Sequence, residues 1–87
     1  MNNNRGKYNR RNFLLRVKDI QDIYTEYHRR GCTDKYIHET HIYPLYKIGR
    51  TTFYNYLTIP AVKELKELEE RMRREKEELL KQGNLFE

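Results

Sequence analysis

Ile48-Gly49-Arg50-Thr51-Thr52-Phe53-Tyr54-Asn55-Tyr56-Leu57 is the stretch whose reading decides the fold. Ile48, Phe53 and Leu57 fall on one side of a short helix, and that spacing predicts an inward face. Arg50, Thr51, Thr52, Tyr54, Asn55 and Tyr56 are then left to face outward. Gly49 is an acceptable helix N-cap. The segment therefore reads as the turn and third helix of a tri-helical unit, with the helix over 50–57.

Upstream, Phe13, Val17, Ile20, Tyr24 and Tyr27 recur at spacings of four and three, one helical stripe that Leu14 and Ile23 widen. A first helix is expected over 12–30, with Asn12 as N-cap, Arg29 and Arg30 in the last turn, and Gly31 as the left-handed stop. Thr33 is the expected N-cap of a second helix over 34–42. Pro44 should end it, because the residue before a proline is pushed out of helical dihedrals. Tyr43 to Lys47 then form a connector, in which Pro44 can open a short turn of its own.

Downstream, Thr58-Ile59-Pro60 ends the third helix and starts a fourth over 60–82. That helix is a charged rod of about 33 Å. It carries Glu-to-basic pairs at four-residue spacing: Glu67–Arg71, Glu69–Arg73, Glu70–Arg74 and Glu77–Lys81. Leu65, Leu68, Met72, Glu75, Leu79 and Gln82 occupy heptad a and d positions, so the seam is broken by two polar residues. Val62, Leu65 and Leu68 should pack on the chain's own domain, and the outer part should pair with a second copy as a homodimer. The fold class is all-α: a flexible basic arm (1–11), a tri-helical domain (12–59), a long helix (60–82) and a tail (83–87).

The chain has 87 residues, 37% hydrophobic and 36% charged, with eight Tyr, three Phe and no Trp. A chain of this size supports one small domain with a thin core. Net charge is +5, and it is uneven. Residues 1–60 hold 11 Lys and Arg against 5 acids, whereas residues 61–87 hold 7 against 8. Such asymmetry suits a polyanion-binding front and a neutral back.

Arg and Asn at the start and middle of an outward helical face can pair with base edges, and hydroxyls reach phosphates. The expectation is binding of double-stranded DNA. Arg50, Thr51, Thr52, Tyr54, Asn55 and Tyr56 would lie on the reading helix, Lys47 on a phosphate, and Arg5, Lys7, Arg10 and Arg11 in the arm, along an adjacent minor groove.

The run Thr52-Phe53-Tyr54-Asn55-Tyr56-Leu57 resembles the recognition helix of TetR-type repressors, where a Thr-aromatic/Leu-Tyr-x-His/Tyr-Phe pattern is common. With Ile42-Tyr43-Pro44-Leu45-Tyr46 before it, the chain also looks like small helix-turn-helix proteins of Bacteroidetes and their phages. The resemblance covers roughly residues 33–60. It implies that Arg50, Thr51 and Asn55 face bases and that Tyr54 and Tyr56 contact phosphates. The connector before the third helix departs from the TetR pattern, and no ligand-binding domain accompanies it, so no small-molecule ligand is implied. A small transcriptional regulator is the reading this favours. The alternatives are a DNA-recognition protein for phage packaging, similar to small terminase subunits, and a helical protein-interaction module without a DNA role.

Other chemistries find little support. Cys32 is the only cysteine, so an internal disulfide is not possible, which fits a reducing cytoplasm. Cys32, His38 and His41 lack an evident fourth ligand and match no common zinc spacing. No phosphate-binding glycine loop and no Ser-His-Asp or Cys-His set is visible, so neither a cofactor nor an enzymatic activity is expected. No apolar run approaches a membrane span, and no secretory signal follows the basic amino terminus.

Overall fold

The structure, a computed structural model, describes the backbone of residues 4–84 and the side chains of residues 9–81. It is all-α, with no strand among the described residues. We label the helices α1 (Asn4–Arg29), α2 (residues 34–46), α3 (Arg50–Leu57) and α4 (Ala61–Asn84).

Helix α1 starts earlier than its apolar stripe does. Residues 4–11, expected as a flexible arm, are its first turns, and Asn12 is an exposed interior position rather than a cap. One support for these turns lies far away in sequence. Arg10 donates to Glu64 at 2.6 Å, and Arg11 lies 3.6 Å from Glu69, both acids on α4. Helix α4 runs back along α1, so these turns are supported by a neighbour that local periodicity does not reveal. At its other end α1 stops as expected. Gly31 takes φ +92°, a left-handed conformation that a residue with a Cβ adopts at a cost.

Helix α2 begins at the expected cap. Thr33 accepts a hydrogen bond from the Tyr36 amide at 3.2 Å. It does not end at residue 42. A π-helical turn, His38–Ile42, carries the helix into Tyr43–Tyr46. The Tyr43 N–H reaches back to the His38 carbonyl, five residues away. Widening the turn gives Pro44, which has no N–H and whose ring crowds the carbonyl four residues back, room to continue the helix. Ile42 absorbs the distortion at φ −102°, and Tyr43 keeps helical dihedrals (φ −59°, ψ −44°) despite preceding the proline. The expected connector is thus mostly helix.

Lys47-Ile48-Gly49 joins α2 to α3. Lys47 makes the turn at φ 56°, the only positive φ outside glycine among the described residues. Gly49 is the extended N-cap of α3, which has the bounds expected from the sequence. Thr58 closes α3, donating its hydroxyl to the Asn55 carbonyl at 2.7 Å.

Two apolar clusters hold the helices together. In one, Ile20 of α1 meets Ile37 and Ile42 of α2, Ile48 of the turn and Phe53 of α3. In the other, Leu14 and Val17 of α1 meet Ala61, Leu65 and Leu68 of α4. Tyr56 packs against both. The first half of α4 therefore belongs to the same packed unit as the three preceding helices. Val62, expected inside, is 60% exposed, and Ala61 takes the buried place. None of the four expected pairs along α4 closes within 4 Å, and Glu69 turns to Arg11 instead.

Candidate nucleic-acid interface

Helix α3 is fixed by α1 and α2. Phe53, fully buried, anchors it against Tyr24 of α1 (ring centroids 5.9 Å) and His38 of α2 (5.5 Å). Gln21 of α1 donates to the carbonyls of Tyr56 at 2.9 Å and Ile59 at 2.6 Å, so backbone oxygens at the end of α3 are satisfied by α1. His38, 7% exposed, places Nε2 at 2.7 Å from the Ile48 carbonyl in the turn. A carbonyl only accepts, so Nε2 carries the proton. Its Nδ1 is buried without a hydrogen-bond partner.

With Phe53 inward, Thr51 and Asn55, four residues apart, are exposed on the opposite side, and Arg50 and Tyr54 are exposed beside them. Thr52 is half-buried. Helix α4 leaves this face open. Tyr56 is a correction to the sequence reading. It is half-buried, and its ring meets Phe13 edge-on at 5.5 Å, a packing role that turns it away from the outward row. Helix α3 contains no acidic residue.

Lys47 is exposed, its Nζ held 5.2 Å from the Tyr43 ring centroid. One further cation adjoins the turn, and the sequence reading did not single it out. Arg16 of α1 donates to the Tyr46 carbonyl at 3.1 Å and lies 5.7 Å from the centre of the Tyr46 ring. Its helical stripe gave no hint of this, because the contact crosses to α2. Burial pushes the Tyr46 phenol above its ordinary pKa, with Asp19 acting in the same direction and Arg16 against it.

Two further cations expected at the interface, Arg10 and Arg11, meet acids of α4, Glu64 and Glu69. The side chains of Arg5 and Lys7 lie outside the described residues. Arg29 and Arg30 share Glu26 at 2.6 and 2.7 Å, and hydrogen bonding from Arg30 leads in holding that carboxyl below its usual range. Arg16, Lys47 and Arg50, in contrast, have no carboxylate within 4 Å among the described residues.

The three histidines take separate places. His41 stacks on Tyr27 at 3.7 Å, His28 stacks on Tyr24 at 5.0 Å, and His38 serves the turn. Among the described residues no cluster of His, Cys, Asp and Glu could hold a metal, and no helix is long and apolar enough to cross a membrane. No family model, curated protein or solved structure matches the chain.

Proposed function

We propose that this protein binds double-stranded DNA by laying α3 in the major groove. The observation that carries the reading is the division of α3 into two faces. Phe53 is locked into the core, while Arg50, Thr51, Tyr54 and Asn55 are exposed on a helix free of acids. Such a face offers bidentate donors to purine edges from Arg50 and Asn55 and hydroxyls to the backbone. Arg50 sits at the helix N-terminus, where the free amides also favour phosphate.

Selection of bound sequences from a random duplex pool tests the reading. Enrichment of one motif supports it, and an unenriched pool from a folded protein contradicts specific readout. On this reading the protein is a small transcriptional regulator, and a second copy pairs through the outer end of α4, where Leu79 and Leu80 are 67% and 61% exposed. The stripe offered to that copy is shorter than the sequence suggests, because Leu65 and Leu68 are used inside the chain.

A second reading, as a protein-interaction module, draws on a different face. Leu45 is 70% exposed, on the rim of an open cleft between α1 and α2 lined by Ile23, Tyr27, His41 and Pro44. Loss of partner binding on Leu45→Lys, with DNA affinity intact, would separate the two.

A further inference from the structure

Every cation of α1 from Arg10 to Arg30 with a carboxylate in reach uses it: Arg10, Arg11, Lys18, Arg29 and Arg30 each lie within 4 Å of an acid. Among the described residues, Arg16 alone in that span does not. It is exposed, yet its guanidinium is positioned by one hydrogen bond to the Tyr46 carbonyl and by the Tyr46 ring beneath it. Asp19, three residues along, is near enough to bias the Tyr46 phenol but forms no ion pair with Arg16 within 4 Å.

A guanidinium has five N–H donors in a fixed fork. One is spent on Tyr46, so donors remain for another acceptor. Tyr46 is the last residue of α2, Lys47 follows it in the turn, and Arg50 opens α3. Three cations with no carboxylate within 4 Å among the described residues therefore adjoin one turn. Ordering Arg16 in advance also reduces the rotamer entropy lost when it meets an anion.

We infer that Arg16 is a phosphate-binding residue that, with Lys47, grips the DNA backbone where α2 passes into α3, beside the base-reading Arg50. The inference rests on the DNA-binding reading above and adds to it the residue that fixes the register of the turn on the duplex. A phosphate contact carries no sequence information, so Arg16 contributes to affinity and salt dependence and leaves base preference unchanged.

The test measures affinity for a 20-base-pair DNA duplex over a salt series with wild type, Arg16→Gln and Arg16→Lys. The glutamine variant keeps a donor for Tyr46 and loses the charge. It should bind several-fold more weakly and show a log–log salt slope smaller by about 0.9. The lysine variant should keep the wild-type slope. Site preference in the selected pool should be the same for all three. A glutamine variant with wild-type affinity and slope overturns the inference and leaves the DNA-binding reading standing. A folded wild type without affinity for any duplex overturns both. The Arg16 Nε–H resonance of the wild type gives the same test without substitution: it should shift on duplex addition, and a resonance unmoved at saturation overturns the role.

Discussion

His38 of α2 donates from Nε2 to the carbonyl of Ile48 at 2.7 Å, so a buried imidazole ties the second helix to the turn that launches the third. The same ring lies against Phe53, the anchor of α3. One side chain thus sets both where the turn runs and how α3 is seated. Replacing His38 by Phe keeps a ring in the core and removes the donor. The Ile48 carbonyl loses its partner, and stability should fall by about 1–3 kcal/mol. Urea denaturation reads this directly, and an unchanged midpoint would show that the bond contributes no more than relief of the buried, unpartnered Nδ1 returns.

Lys47 separates structure from function. Its positive φ costs a residue with a Cβ roughly 1 kcal/mol, which glycine avoids. Lys47→Gly should therefore raise the thermal midpoint. It also deletes a cation beside α3, so DNA affinity should fall at the same time. A variant that is both more stable and equally tight would remove Lys47 from the interface.

Gly49 offers a complementary probe. Its φ of −76° suits any residue, and a Cβ built there meets nothing within 4 Å. Gly49→Ala should leave stability within about 0.5 kcal/mol, the cap penalty and the lower unfolded entropy partly cancelling. If a phosphate approaches the backbone there, the added methyl should weaken binding several-fold. Unchanged affinity would mean that the duplex keeps its distance from the turn.

Alkaline titration tests the packing of α1 on its neighbours. Burial leads in raising the Tyr24 phenol above its ordinary value, with the hydrogen bond to Asp34 at 3.0 Å adding to it, and burial likewise raises Tyr46. Both are neutral in the fold and ionise more readily in the unfolded chain. Their stabilisation is complete below the unfolded value of about 10 and is lost as pH rises through the folded one. Absorbance at 295 nm should show a late-ionising fraction that shrinks in Tyr24→Phe and Tyr46→Phe. A titration in which neither variant alters that fraction would contradict the packing.

Much of this fold is legible in the sequence wherever local chemistry decides the outcome. Thr33 and Gly31 mark ends that hydrogen bonding and dihedral preference fix on the spot, and the Phe53–Leu57 spacing gives the bounds of α3. The start of α1 is hidden because Arg10 and Arg11 meet acids 54 and 58 positions away, on a helix that local periodicity does not bring near. The continuation through Pro44 was hidden because a π turn changes the register without changing the composition. At the site, the outward row was readable from periodicity. The inward turn of Tyr56 and the place of Arg16 depend on contacts with Phe13 and Tyr46, which sequence spacing does not contain.

The salt dependence of duplex binding, compared between wild type and Arg50→Ala on the motif recovered by selection, reaches the functional proposal most directly. With Arg16 and Lys47 neutralising phosphates, log affinity should fall against log salt with a slope of about −1.8 from these two alone. Arg50→Ala should cost about 1–3 kcal/mol on the preferred site and much less on unrelated duplex, if the guanidinium pairs with guanine. Binding by the folded protein that is flat in salt and indifferent to Arg50 would contradict the proposal.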